Sequence, residues 1–140
     1  MYRTILAITI GIIGLVLIRL YEEYLFYDPF IEYYSTSSST DFSSVTLNLS
    51  KWIIFIVFRY SLNALCIGVI MFGILDFLTC KGLLRLVFLS MIVLIPALLL
   101  AYYYSNDDFV FFYIRRLLIQ PYVGFAALGA AFYKRNAQFK

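Results

Sequence analysis

Arg115 and Arg116 stand side by side in YIRRLLIQP (residues 113–121), inside a run that is otherwise soluble in hydrocarbon. A guanidinium near the middle of a bilayer costs roughly 2.5 to 3.5 kcal/mol on insertion scales, so an arginine there points to a partner or a function. The chemistry on offer is planar, bidentate recognition of carboxylates or phosphates. At helical spacing Tyr113, Arg116 and Gln120 share one stripe, and Arg115 points about 100° away. FRYSLN (residues 58–63) repeats the theme with Arg59 and Asn63 four residues apart. Arg19 ends the first apolar run and is followed closely by Glu22 and Glu23, and Asp107 lies just ahead of the arginine pair.

Catalytic chemistry is poorly supplied. The chain has no histidine, which removes the Ser/His and Cys/His nucleophile–base pairs and the HExxH metalloprotease pattern. It also makes a zinc or haem site a poor fit. Asp107 and Asp108 are adjacent in one connection, not on separate spans as an intramembrane aspartyl dyad requires. Cys66 and Cys80 would lie about 21 Å apart along a helix and cannot bridge each other. No catalytic residue, metal ligand or cofactor is assigned, and the expectation is a protein that is not an enzyme.

The elements that must position these arginines are membrane spans. Of 140 residues, 64% are apolar and 20% aromatic, against only 14% charged, and the mean hydropathy is +0.90. A globular domain carries about 25% charged residues. Four apolar runs, at about 4–20, 52–75, 83–104 and 109–133, fit a single all-α, polytopic domain of four transmembrane helices, each needing about 20 residues. No small-x-small cleavage site follows the first run, so it reads as a retained span. Gly11 and Gly14 in that span, Ala64 and Gly68 in the second, and Ala126, Gly129 and Ala130 in the fourth offer faces for close helix approach. Lys51 and Trp52 read as interfacial anchors. Pro96 marks a kink in the third span, the least polar of the four and the one expected to face lipid.

The connection 21–50 carries aromatics interleaved with carboxylates, and its Asp28-Pro29 pair should break any preceding helix. Residues 35–44 are low-complexity polar sequence, and 76–82 read as a tight polar turn. Arg3, Lys81, Arg85, Lys134, Arg135 and Lys140 fall on one side of the bilayer with Asp76. The other side receives Glu22, Glu23, Asp28, Glu32, Asp41, Asp107 and Asp108, with Lys51 as its clear base. By the positive-inside rule both termini are cytoplasmic. The formal charge of +3 includes no basic surface cluster with interleaved aromatics, so nucleic acid is not an expected partner.

This orientation places Arg19, Arg59, Arg115 and Arg116 in the outer half of the bilayer beneath the acidic connections. The expected pairings are Arg59 or Arg116 with Glu22, Glu23 or Asp107, with Asn63 and Gln120 satisfying remaining donors. The competing reading is that arginines near helix ends snorkel to lipid phosphates. That reading suits Arg19 and Arg115 better than Arg59 and Arg116, which lie deeper beside polar neighbours.

In order along the chain, RLYEEYLFYDPF (residues 19–30), FRYSLN (58–63) and YIRRLLIQP (113–121) resemble the exosortase F system-associated membrane protein family of Bacteroidota. The resemblance runs over nearly the whole chain, apart from the polar stretch 35–44. It implies a multi-pass protein of the bacterial inner membrane encoded beside an exosortase, an enzyme that processes C-terminal sorting tails with a cysteine, arginine and histidine set. Lacking histidine, this chain resembles the companion and not the enzyme. Arg19, Glu22, Asp28, Pro29, Arg59, Asn63, Arg115, Arg116, Gln120 and Pro121 lie in the family's motifs. The expected function is a non-catalytic accessory subunit, with membrane lipids and an exosortase as partners. The alternatives are a small structural subunit of another envelope secretion or transport complex, and a lipid-headgroup-binding membrane protein.

Overall fold

The structure is a computed structural model and describes residues 2–31, 47–75, 77–104 and 108–137. Glu32, Asp41, Asp76, Asp107 and the polar stretch 35–44 lie outside the described residues. Among those described there is helix and no strand. In chain order the helices are α1 (Tyr2–Leu20), the short α2 (Glu22–Leu25), α3 (Leu49–Ile74), α4 (Phe77–Tyr104), α5 (Asp108–Ile119) and α6 (Tyr122–Ala137). Three of them, α1, α3 and α4, are long and apolar enough to cross a membrane.

α3 is the hub. Asn48 caps its N-terminus, accepting a hydrogen bond from the Lys51 amide at 3.2 Å, which satisfies a donor the first turn would leave open. Trp52, Ile56, Arg59, Tyr60, Asn63, Ala64, Ile67, Gly68, Ile70 and Met71 are buried along it. Spacings of three and four keep these side chains on neighbouring stripes facing other helices.

α1 lies antiparallel on α3, and glycines set their separation. A Cβ on Gly11 would come 2.3 Å from Ile70 Cγ1 and 2.8 Å from the Cys66 carbonyl, and one on Gly14 would come 2.7 Å from Cys66 Sγ. Further along, a Cβ on Gly73 would meet Ala7 Cβ at 2.6 Å. This is packing by small residues, the mode that works where lipid removes the hydrophobic drive between helices. The face expected at Ala126, Gly129 and Ala130 packs on nothing: all three are exposed, and a Cβ on Gly129 would meet no atom within 4 Å. The close approach of α6 is made instead by Gly124, against Ile67.

α4 runs antiparallel to α3, tied to it by the Tyr60 hydroxyl, which donates to the Val87 carbonyl at 2.7 Å and lies 2.6 Å from Ser90 Oγ. The turn expected over 76–82 is helical from Phe77 onward. Of those residues Gly82 disfavours helix most, at a cost of about 1 kcal/mol, which a helix of 28 residues absorbs. Leu86, Leu89, Ile92, Val93 and Leu100 are exposed along α4, as suits a lipid-facing helix.

The fourth expected crossing is divided. Pro121 has no amide hydrogen and disfavours helical backbone at Gln120, so α5 stops at Ile119 and α6 begins at Tyr122. Both pack on α3 and α4.

At one end of the bundle Phe30, Trp52, Tyr102 and Phe111 form an aromatic cluster. Phe30 lies 5.4 Å from Trp52 and 4.8 Å from Phe111, ring centre to ring centre, and Trp52 stacks on Phe111 at 5.9 Å. Trp52 is 0% exposed. It is therefore a core residue and not the interfacial anchor its place beside Lys51 suggests; Lys51 itself lies over the Tyr27 ring at 4.6 Å.

Candidate functional site: an arginine cluster

α1 ends at Leu20, the chain turns through Tyr21, and α2 brings Glu22 back over the bundle. Its carboxylate oxygen Oε2 accepts from two guanidiniums, Arg19 at 2.8 Å and Arg59 from α3. Phe26 is extended (φ −125°, ψ 133°) and ends α2, and its ring lies 5.3 Å from the Arg59 guanidinium. Asp28 follows, accepting from the Phe30 amide at 3.3 Å, the local bond that shapes an Asx turn. Its other oxygen, Oδ2, accepts from Arg115 on α5 at 2.6 Å. One short connection thus supplies carboxylates to both buried arginines.

The two neighbouring arginines exchange the environments expected of them. Arg115 is buried at 7% exposure, between Phe111, Leu118 and Ile119 on the inward face of α5. Arg116 is exposed, and its Nε donates to Gln120 Oε1 at 3.0 Å on the same helix. The Tyr113–Arg116–Gln120 stripe therefore lies on the outer side, with Tyr113 60% exposed. Phe111, Leu118 and Ile119 are buried on the same face of α5 as Arg115, so their burial carries Arg115 inward with them.

Glu23 is exposed and forms no ion pair among the described residues. Asp107 lies outside them. Asn63 does not serve an arginine: its Nδ2 donates to the Ile119 carbonyl at 2.9 Å. That carbonyl sits where Pro121 ends α5, so a side chain of α3 satisfies an acceptor that the broken helix exposes. Asn63→Leu is expected to cost about 1–3 kcal/mol by leaving that buried carbonyl without a donor. Reversible unfolding in mixed micelles measures it, and a loss no larger than that of an exposed substitution on α3 would count against the assignment.

The sequence reading did not anticipate Asp28 as the partner of Arg115, nor the Tyr60–Ser90 link. An acid directly before a proline gave a signal for a fixed turn, but none for what the turn's carboxylate reaches.

A cavity of about 370 Å³ opens among Arg19, Glu22, Arg59, Arg115, Arg116 and Gln120. All four expected arginines border it. A guanidinium offers a planar fork of donors and no acceptor, so the cavity wall is rich in hydrogen-bond donors, with the Glu22 carboxylate among them.

Comparison with protein-family models, with curated proteins and with solved structures finds no match for this chain.

Proposed function

We propose that the chain is a non-catalytic accessory subunit of an exosortase-type sorting and processing system in the bacterial inner membrane. In this reading it crosses the membrane four times with both ends in the cytoplasm, and α5 and α6 together make the fourth crossing. The observation that carries the reading is the convergence of Arg19, Arg59, Arg115 and Arg116, from three helices, on one cavity. Arginines held within apolar helices indicate a binding role, and the four lie in the motifs on which the family resemblance rests. The exposed guanidinium of Arg116 and the carboxylates that fix Arg59 and Arg115 suit a docking surface of set geometry.

The experiment is affinity purification of the tagged chain from its native membrane in mild detergent, with mass spectrometry of what is retained. An exosortase should be recovered, and deletion of the chain should leave tailed substrates unprocessed. Recovery of a different stable complex, with tail processing intact, would replace this reading with that of a structural subunit of another envelope assembly.

A further inference from the structure

Two clefts meet at Arg59. The cavity already described, about 370 Å³, mixes its four arginines, Glu22 and Gln120 with the apolar Ile31, Phe112 and Ile119. A second, about 290 Å³, runs from it between α1 and the α5–α6 break, along Leu15, Ile18, Pro121, Tyr122 and Phe125. Arg19, Arg59, Ile119 and Gln120 border both. A charged chamber continuous with an apolar groove has the form of a site for an amphiphile, and each part approaches or exceeds the ~300 Å³ at which small-molecule pockets begin.

The charges specify the head of that amphiphile. Glu22 is one carboxylate shared by two guanidiniums, Arg19 and Arg59. Arg116 has as its partner the neutral Gln120. Arg59 Nε is buried without a hydrogen-bond acceptor among the described residues. Setting the Arg115–Asp28 pair aside as neutral, three cations face one anion among the described residues. An excess of positive charge in a part-buried chamber favours an anionic guest and disfavours one that also carries an ammonium group. The groove narrows the choice further, because Tyr122 and Phe125, which line it, are themselves exposed on the outside of the helices, where lipid chains would run.

We propose that this double cleft binds a membrane phospholipid with an anionic headgroup. Its phosphate is held by Arg19, Arg59 and Arg116, and one acyl chain lies against Leu15, Ile18, Tyr122 and Phe125. A phosphodiester presents enough acceptor oxygens for guanidiniums arriving from three helices, and forked donors suit it. The lipid head occupies the cavity that the accessory-subunit reading uses for docking and would form part of that surface; if no lipid binds, the arginines remain open to a protein partner and that reading stands.

The test is native mass spectrometry of the purified chain, delipidated and then titrated with phosphatidylglycerol, phosphatidylcholine or inorganic phosphate. One phosphatidylglycerol should bind in preference to phosphatidylcholine. Arg116→Gln and Arg19→Gln, both at exposed positions, should each weaken it about tenfold, the loss expected of one charge-assisted hydrogen bond, without moving the lipid-free melting midpoint. Equal uptake of both lipids, unaffected by either substitution, would overturn the proposal. So would displacement of the lipid by inorganic phosphate at comparable concentration, which would make the groove irrelevant. Binding of neither lipid by the unsubstituted chain would overturn it as well, leaving the cleft to a polypeptide.

Discussion

Asp28→Ala should lower the stability of the folded chain by about 3–5 kcal/mol, the cost of removing one partner from a buried ion pair. The Asp28 side chain is 4% exposed and that of Arg115 is 8% exposed, so both charges are largely withdrawn from water. The same substitution removes the acceptor for the Phe30 amide, and Phe30 is part of the aromatic cluster. Replacing both partners, Asp28→Leu with Arg115→Leu, should cost far less than Asp28→Ala alone, because no charge is then left in the interior. Reversible unfolding in mixed micelles gives both values. A loss under about 1 kcal/mol for Asp28→Ala would mean that water or lipid phosphate supports Arg115 and that the pair contributes no more than an exposed one.

Trp52→Ala should be the most costly truncation of an apolar side chain, at about 3–5 kcal/mol. The indole is wholly enclosed and lies within 6.3 Å of the ring centres of Phe30, Tyr102 and Phe111. Those rings belong to the connection after α2 and to α4 and α5, so the cluster fastens several elements at once. A lipid surrounding weakens the transfer contribution to burial, but a cavity among rigid rings still forfeits the dispersion contacts of its walls. Trp52→Phe retains a ring and should lose less. A small loss for Trp52→Ala, together with fluorescence of a headgroup-level tryptophan in vesicles, would return Trp52 to the interfacial role suggested by its position beside Lys51.

The sequence made helices legible and made faces hard to read. In a soluble helix the buried face is the apolar one, but a helix in lipid is apolar both toward lipid and toward its neighbours. α5 is more amphipathic than the other long helices, but an arginine stands on each of its faces, so its period did not show which of the two is held inward. A polar stripe drew the expectation to Arg116, whereas ring packing around Phe111 decided for Arg115. Small residues were ambiguous for a related reason. Gly11 and Gly14 meet α3, while Gly129 meets nothing within 4 Å, and one chain's sequence does not show which glycine has a neighbour. The break at Gln120–Pro121 was available from proline chemistry alone. Its capping by Asn63 was not, since that bond joins residues 56 positions apart. Arg59 with Glu22 was among the expected pairings because an arginine held in a span and an acid just beyond one have few other partners.

Whether the arginines form one network braced by the connection after α1 is tested most directly by a double-mutant cycle over Glu22→Gln and Arg59→Met, read as reversible unfolding in mixed micelles. Arg59 has 4% of its side chain exposed and draws its ion-pair partner from outside α3, so the two changes should couple by at least about 1 kcal/mol. Additive losses within about 0.5 kcal/mol would show that the two groups act independently. Arg59 would then answer to lipid or water and not to Glu22, and the wall of the cavity that this pair forms would have no fixed form to offer a partner.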